Sequence, residues 1–371
     1  MNLTIGSLFS GFLGLDRAVE SAFNAETVWV SDIDKGACKV LAHRAPHCPN
    51  LGDITAVDWA QVQPVDIITG GSPCQDISGA GRRAGMVEGT RSNLWVEMRE
   101  AIAVLEPAFV VWENVRGAYT TPAASAMESD PRLLGDHDAG KPVLRALGRV
   151  LGDLAALGFD AEWHGLRAAD VGAPHGRFRV FVLASHPERS TRHEWRQPSP
   201  SEAQSGRALG ATARRAGTPV DLLPTPMTSD TQGATPADLR RESIQLRAIA
   251  HLLPTPMTSD AGLGTSADLY NRNSLQMRSM HLLSLDTWGK YAAAIAQWEA
   301  IHGPAPVPTK PGRNGRPKLN PAFAEWMMGA PAGWITDTPG VTDNEALKMA
   351  GNGVVEQQAF AAIRNMIEAT S

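Results

Sequence analysis

The stretch LTIGSLFSGFLGLDRAVESAFNAETVWVSDID, residues 3–34, decides the fold. It opens with LTIGSLF, an apolar run of strand length, and continues into GLDRAVESAF, whose apolar residues fall on one face of a helix. ETVWVSDID then reads as a second strand. The rhythm repeats: KGACKVLAHRA is helical, VDIITGG a strand, NLWVEMREAIAVLE a helix and PAFVVWENV a strand. Such alternation predicts an α/β fold with a doubly wound, mostly parallel sheet, in which ligands gather beyond the carboxyl ends of the strands. GSLFSG, SDID, GDIT, GGSPC and WENV all fall at those ends, so five polar clusters are expected on one rim.

Beyond the polar stretch at 119–141, the helix PVLRALGRVLGDLAAL precedes FDAEWHGLRAA and GRFRVFVLAS, which read as an antiparallel pair closing the sheet. Residues 186–320 are rich in Pro, Ser, Thr and Arg and weakly periodic. They hold a duplication, LLPTPMTSD at 222–230 and again at 252–260. Two copies are too few for a self-supporting solenoid, so they are read as a loop and short helix decorating a smaller second lobe. Order returns with LNPAFAEWMMGAP and ends in a helix after AGNGVVEQQAF. The expected organisation is a catalytic and cofactor domain at 1–185, an irregular lobe at 186–320, and a C-terminal segment, 321–371, that returns to the first domain.

The chain has 371 residues, 43% of them hydrophobic, enough for a large core. Its three cysteines, Cys38, Cys48 and Cys74, form no CxxC pair, which suits a reducing compartment. The start lacks a basic n-region, and no apolar run approaches the ~20 residues of a membrane span. A cytoplasmic protein without membrane contact is expected. The net charge of -5 argues against indiscriminate polyanion binding. Locally, however, KPGRNGRPK at 310–318 gathers Lys310, Arg313, Arg316 and Lys318 without an acid, and arginines recur between 189 and 215. These are candidate phosphate contacts.

Cys74 stands in GGSPCQDIS. Pro73 stiffens the backbone before it, while Gly70 and Gly71 let the chain pass close to a planar substrate, a setting for a thiol nucleophile. Glu113, last after the apolar run FVVW, is placed to donate a proton, and desolvation there should raise its pKa. Together they suit a pyrimidine: thiolate addition at C6 of cytosine, with an acid on N3, turns C5 into an enamine carbon that attacks a sulfonium methyl. Arg177 and Arg179, read as two apart on one strand face, could hold the base oxygen and orient Glu113. Phe9, Gly11 and Gly14 make an open turn for a cofactor, with Asp32 placed for ribose hydroxyls and Asp53 for an adenine amino group.

In this order FSGFLGLD, VSDID, GDIT, GGSPCQDIS, RSNLW, WENV, PHGRFR, NPAFAEWMMGAP and AGNGVV resemble the C5-cytosine DNA methyltransferase family. The resemblance implies a Rossmann-like fold and S-adenosylmethionine as methyl donor. It makes Cys74 the nucleophile, Glu113 the N3 partner, and Arg177 and Arg179 the base-pocket arginines. It places Phe9, Gly11, Phe12, Leu13, Gly14, Asp32, Ile33, Asp53, Ile54, Pro73, Leu94, Asn352, Gly353 and Val354 around the cofactor. Gln75, Ser78, Arg82 and Arg83 fall in a loop that would close over double-stranded DNA, and 186–320 falls where the family keeps its target-recognition region. No metal is implied; a monomer is expected, and a cognate restriction endonuclease is a partner the family admits. The family usually has Gly in place of Leu13, which could narrow the pocket, and Gln in place of His175, where the imidazole is expected to replace a structural hydrogen bond. The rival readings are an RNA cytosine methyltransferase and a noncatalytic DNA-binding protein. The target base would have to leave the duplex, because C6 is unreachable in the stack.

Overall fold

A computed structural model of the chain describes residues 2–72, 94–119, 145–190, 221–231, 246, 288, 291–312 and 317–370. They divide between two compact units. The first comprises Met1–Arg167, Phe178–Gly206 and Gln358–Ser371, and the second Ala168–Arg177 and Arg207–Gln357. Residues 321–357, read from sequence as returning to the first domain, thus cluster with the second unit; the return begins at Gln358.

The first unit carries a six-stranded sheet. Its strands are β1 (Leu3–Leu8), β2 (Ala25–Ser31), β3 (Ile67–Gly70), β4 (Phe109–Val115), β5 (Asp160–Arg167) and β6 (Phe178–Ser185), in the spatial order β2-β1-β3-β4-β6-β5. β1 pairs in parallel with β2 and β3, and β3 with β4. β6 runs antiparallel to both β4 and β5, as the expected closing pair requires. Its longer helices are α1 (Gly14–Phe23), α2 (Lys35–Arg44), α3 (Leu94–Leu105) and α4 (Ala146–Ala156).

Helix α1 buries Ala18, Val19, Ala22 and Phe23 and ends on Asn24, whose left-handed backbone suits an asparagine cap. Asp34 caps α2, accepting from the N–H groups of Gly36 and Ala37. The sheet is sealed by large side chains, among them Trp29, Trp95 and Trp112. Trp29 lies so close under β1 that a Cβ at Gly6 would come within 2.0 Å of its ring, so only glycine fits there. Strand order turns between β2 and β3, on either side of β1, and a crevice for a ligand is therefore expected outside the carboxyl ends of β1 and its neighbours.

In the second unit are α5 (Ala292–His302), the hairpin strands β7 (Thr309–Pro311) and β8 (Pro317–Leu319), α6 (Pro321–Met327) and α7 (Asp343–Asn352). Thr342 and Glu345 close a capping box at the start of α7. The last helix, α8 (Glu356–Thr370), begins in the second unit and continues into the first, where Gln358 Nε2 donates to Leu166 O at 2.7 Å. No helix among the described residues is long and apolar enough to cross a membrane.

Candidate active site

Beyond β1 the chain makes a turn in which three of the residues from Phe9 to Leu13 hold left-handed backbone: Phe9 at φ 56°, Gly11 at φ 55° and Leu13 at φ 70°. For Phe9 and Leu13 that conformation is strained, and strain of this kind gathers at ligand clamps. The turn is tied to the end of β2, since Phe9 N–H donates to Ser31 O at 2.9 Å and Gly11 N–H to Asp32 Oδ2 at 2.9 Å. Burial pushes the Asp32 carboxyl up, against the pull of backbone hydrogen bonds from Asp34 and Gly11. A Cβ at Gly11 would meet nothing within 4 Å, and the neighbouring Ile33 is 69% exposed. An open backbone, a partly buried acid and an exposed apolar side chain at two neighbouring strand ends fit a nucleoside bearing both hydroxyls and a flat base.

Phe9, Gly11, Asp32 and Ile33, expected around a cofactor, lie on this turn and at the end of β2. Asp53 is exposed and caps its own turn, its Oδ1 accepting from Thr55 N at 3.0 Å and Thr55 Oγ1 at 2.8 Å; those bonds hold its carboxyl below the usual range. Phe12, Leu13 and Ile54 are buried, and Leu94 opens α3.

The second cluster forms where β3 ends. Gly70 is the last residue of β3 and pairs with Trp112, so Glu113 lies one residue past the β3 ladder. Its Oε1 meets Arg179 Nε at 2.6 Å, with the two side chains only 9% and 11% exposed. Arg179 pairs with Val115 across the antiparallel ladder while Glu113 pairs with Phe181, making Glu113 and Arg179 diagonal neighbours on one face. Arg179 thus meets Glu113 as the sequence suggested, in a buried ion pair at the end of the apolar run FVVW. A Cβ at Gly71 would lie 2.9 Å from Glu113 Oε2, so the carboxylate presses against the backbone one residue past the end of β3.

Ser72 is fixed by the residues flanking Glu113. Trp112 Nε1 donates to Ser72 Oγ at 3.0 Å, and Asn114 Nδ2 to Ser72 O at 3.3 Å. WEN is therefore a grip: Trp112 and Asn114 hold the strand that leads to Cys74, and Glu113 faces the same backbone. Cys74 itself, with Pro73, Gln75, Ser78, Arg82 and Arg83, lies outside the described residues. The other two cysteines serve the fold. Cys48 Sγ donates to Thr27 O at 3.0 Å and Cys38 Sγ to Asp32 O at 3.2 Å; burial pushes the Cys48 thiol up to about 11 and raises that of Cys38 as well.

Arg177 corrects the sequence reading. It does not share a strand face with Arg179, because the ladder starts at Phe178. It is 4% exposed and belongs to the second unit, where its guanidinium donates to three carbonyls: Pro226 O at 3.3 Å, Gly351 O at 3.0 Å and Gly353 O at 2.6 Å. Alternation in GRFRV suggested a strand two residues too early. Arg177 instead clamps the stretch Asn352–Val354. His175 supports the clamp: its Nε2 lies 3.0 Å from Met327 O, and Arg177 N–H donates to its Nδ1 at 3.4 Å. Only the neutral Nε2–H tautomer satisfies both, as a glutamine amide would with its NH2 and its carbonyl.

Lys310 and Lys318, partners across the β7–β8 hairpin, both bind the Asp343 carboxylate, Lys310 at 2.7 Å. Although burial works the other way, their hydrogen bonds and charges hold that carboxyl below the usual range. Both lysines, expected as phosphate contacts, thus share one carboxylate; Arg313 and Arg316 lie outside the described residues.

The family model for C-5 cytosine-specific DNA methylases matches residues 3–368, nearly the whole chain. The chain belongs to that family. Among curated relatives, the Type II methyltransferase M.NlaIV of Neisseria lactamica is 31% identical over 48% of this chain and 40% of its own length. The orphan methyltransferase M.SPRI of Bacillus phage SPR is 29% identical over 52% of this chain and 40% of its own. The chain thus matches about two fifths of these relatives' length. Two solved structures share the fold at a TM-score of 0.50: a prophage-encoded Escherichia coli protein described as a DNA modification methyltransferase, 17% identical over 99% of both chains, and Dnmt2 of S. pombe, 12% identical over 100% of both. For this family member the grip of Trp112 and Asn114 on Ser72 was not read from the sequence. The signal available was the adjacency of both to Glu113 in WENV.

Proposed function

We propose that the protein is a DNA (cytosine-5) methyltransferase acting on a cytosine turned out of double-stranded DNA. The observation that carries this reading is the buried Glu113–Arg179 pair against Gly71, with Ser72 held two residues before Cys74. Cys74 is the nucleophile: its thiolate forms a bond to C6 while Glu113 engages N3, so that the ring's electron pair reaches C5. Arg179 fixes the Glu113 carboxyl group in the orientation that N3 requires. Once C5 has taken the methyl group, loss of the C5 proton and departure of the Cys74 sulfur from C6 restore the aromatic ring.

Phe9, Gly11, Asp32 and Ile33 would hold S-adenosylmethionine, with Asp32 toward the ribose hydroxyls. When bound, it supplies the sulfonium methyl group. The Phe9–Leu13 turn, and the Gly71–Ser72 stretch that leads to Cys74, leave the carboxyl ends of neighbouring strands β1 and β3, as the reaction needs donor and acceptor side by side. Arg177 acts through the backbone it clamps. We further assign 186–320 to target recognition, with a cytoplasmic monomer as the working form.

The test offers a labelled methyl donor with duplex DNA and tRNA side by side. Label in DNA at cytosine C5 is expected. Label in tRNA alone would move the protein to RNA, and label in neither would leave the noncatalytic reading.

A further inference from the structure

The nonapeptide LLPTPMTSD occupies residues 222–230 and recurs unchanged at 252–260. In the second unit the first copy has a built seat. Leu223 N–H donates to Pro174 O at 2.7 Å, and Leu223 forms a parallel bridge with His175. Pro226 O accepts from Arg177 Nη1 at 3.3 Å. Thr228 passes so close to Gly351 that a Cβ there would come within 2.3 Å of Thr228 N. Met227 N–H donates to Asp230 Oδ2 at 2.7 Å, closing a turn inside the segment. Each of these contacts is made by a residue within the duplicated nine. The seat is fixed independently of them, by His175 on Met327 O and by Arg177 on the carbonyls of Gly351 and Gly353.

We propose that this seat is a binding site for the nonapeptide that either copy, 222–230 or 252–260, fills in turn. Identical residues present identical donors, acceptors and apolar surface, so the two seatings differ only in their tethers and flanks. Between Ser190 and the nonapeptide lie 31 residues for the first copy and 61 for the second; between it and Tyr291 lie 60 and 30. Closing a loop of doubled length is about threefold less probable, and halving the other returns about the same factor. The tether terms cancel, leaving the two states within about tenfold of each other. Where the region reads target DNA, a consequence that rests on the proposed function, exchange would move thirty residues from one side of the seat to the other and give one chain two recognition surfaces. The exchange itself does not depend on that function.

Cross-linking of the full chain tests it. A Cβ at the exposed Gly176 would lie 3.6 Å from Leu222 Cδ1. Gly176→Cys is combined with Leu222→Cys or with Leu252→Cys, treated with a short bismaleimide and mapped by mass spectrometry. Both pairs are expected to link, with yields within about tenfold. A link at 222 alone, or at neither, overturns the proposal. As a second measurement, Leu223→Asp and Leu253→Asp should each leave the melting temperature nearly unchanged while the double variant falls. A Leu223→Asp variant as unstable as the double one overturns it too. Two links in a chain that transfers no methyl group would fault the enzymatic reading and leave the exchange standing.

Discussion

Asp16 offers a test of how the core beneath the turn from β1 into α1 is built. It lies in the first turn of α1, 2% exposed, with Oδ1 accepting from Thr69 Oγ1 at 2.5 Å and Oδ2 without a hydrogen-bond partner. Burial above all, with the charge of Glu20 adding to it, pushes its carboxyl from 3.8 to about 6, against the hydrogen bond from Thr69. A carboxyl whose folded pKa is raised holds its proton more tightly in the folded chain. Its contribution therefore favours the fold in acid and is lost as pH rises through about 6. At about 1.4 kcal/mol per pKa unit the ionised group costs about 3 kcal/mol at pH 8 and well under 1 kcal/mol at pH 4. Asp16→Asn keeps the acceptor for Thr69 and removes the ionisation. The stability of the variant relative to the parent should improve by about 2–3 kcal/mol between pH 4 and pH 8, whatever constant the unpartnered amide adds. For a chain of 371 residues that is a relative gain of roughly 3–4 °C in melting temperature. Thermal melts of both proteins across that range measure it. A difference that does not change with pH, or that changes in the opposite sense, refutes the assignment of a buried, ionising Asp16.

Other consequences follow from the same contacts. Leu13 is 6% exposed at φ 70°, so Leu13→Gly and Leu13→Ala both lose its packing, but only glycine relieves the backbone; in denaturant titrations the Gly variant should be the more stable by about 1 kcal/mol. His175→Gln should retain most methyl transfer, because the amide reproduces both hydrogen bonds, whereas His175→Ala leaves Met327 O and Arg177 N unmet and should cost about 2 kcal/mol or more of stability. Arg179→Ala strands a buried carboxylate, so it should destabilise the first unit by about 3–5 kcal/mol, and Arg179→Lys should only partly restore transfer, since an ammonium lacks the planar fork.

The first four strands and their helices were legible because each parallel strand is buried on both faces and shows as an apolar run, with Gly, Asp or Ser where it stops. Residues 3–34 carry that pattern within themselves. What escaped were bonds between residues distant in sequence. Ser72 is held from forty residues away by Trp112, and Lys318 is met by Asp343 from twenty-five. Neither is encoded by local spacing. Arg177 and Arg179 show the opposite failure: their alternation looked like a strand, but Arg177 lies just before the ladder and turns into the backbone of the second unit, to which it belongs itself. His175 was read correctly as a structural hydrogen-bonding group because imidazole and carboxamide offer the same donor and acceptor pair.

The central claim is that the Cys74 sulfur bonds to C6 of a cytosine brought against Glu113 and Arg179. Its most direct measurement is the incubation of the protein and a methyl donor with duplex DNA carrying 5-fluorocytosine, resolved under denaturing conditions. Fluorine at C5 cannot leave as a proton does, so a stable protein–DNA adduct is predicted for the parent chain and none for Cys74→Ser. Adduct formation that survives Cys74→Ser, or methyl transfer to ordinary DNA without trapping of the fluorinated one, would contradict the account.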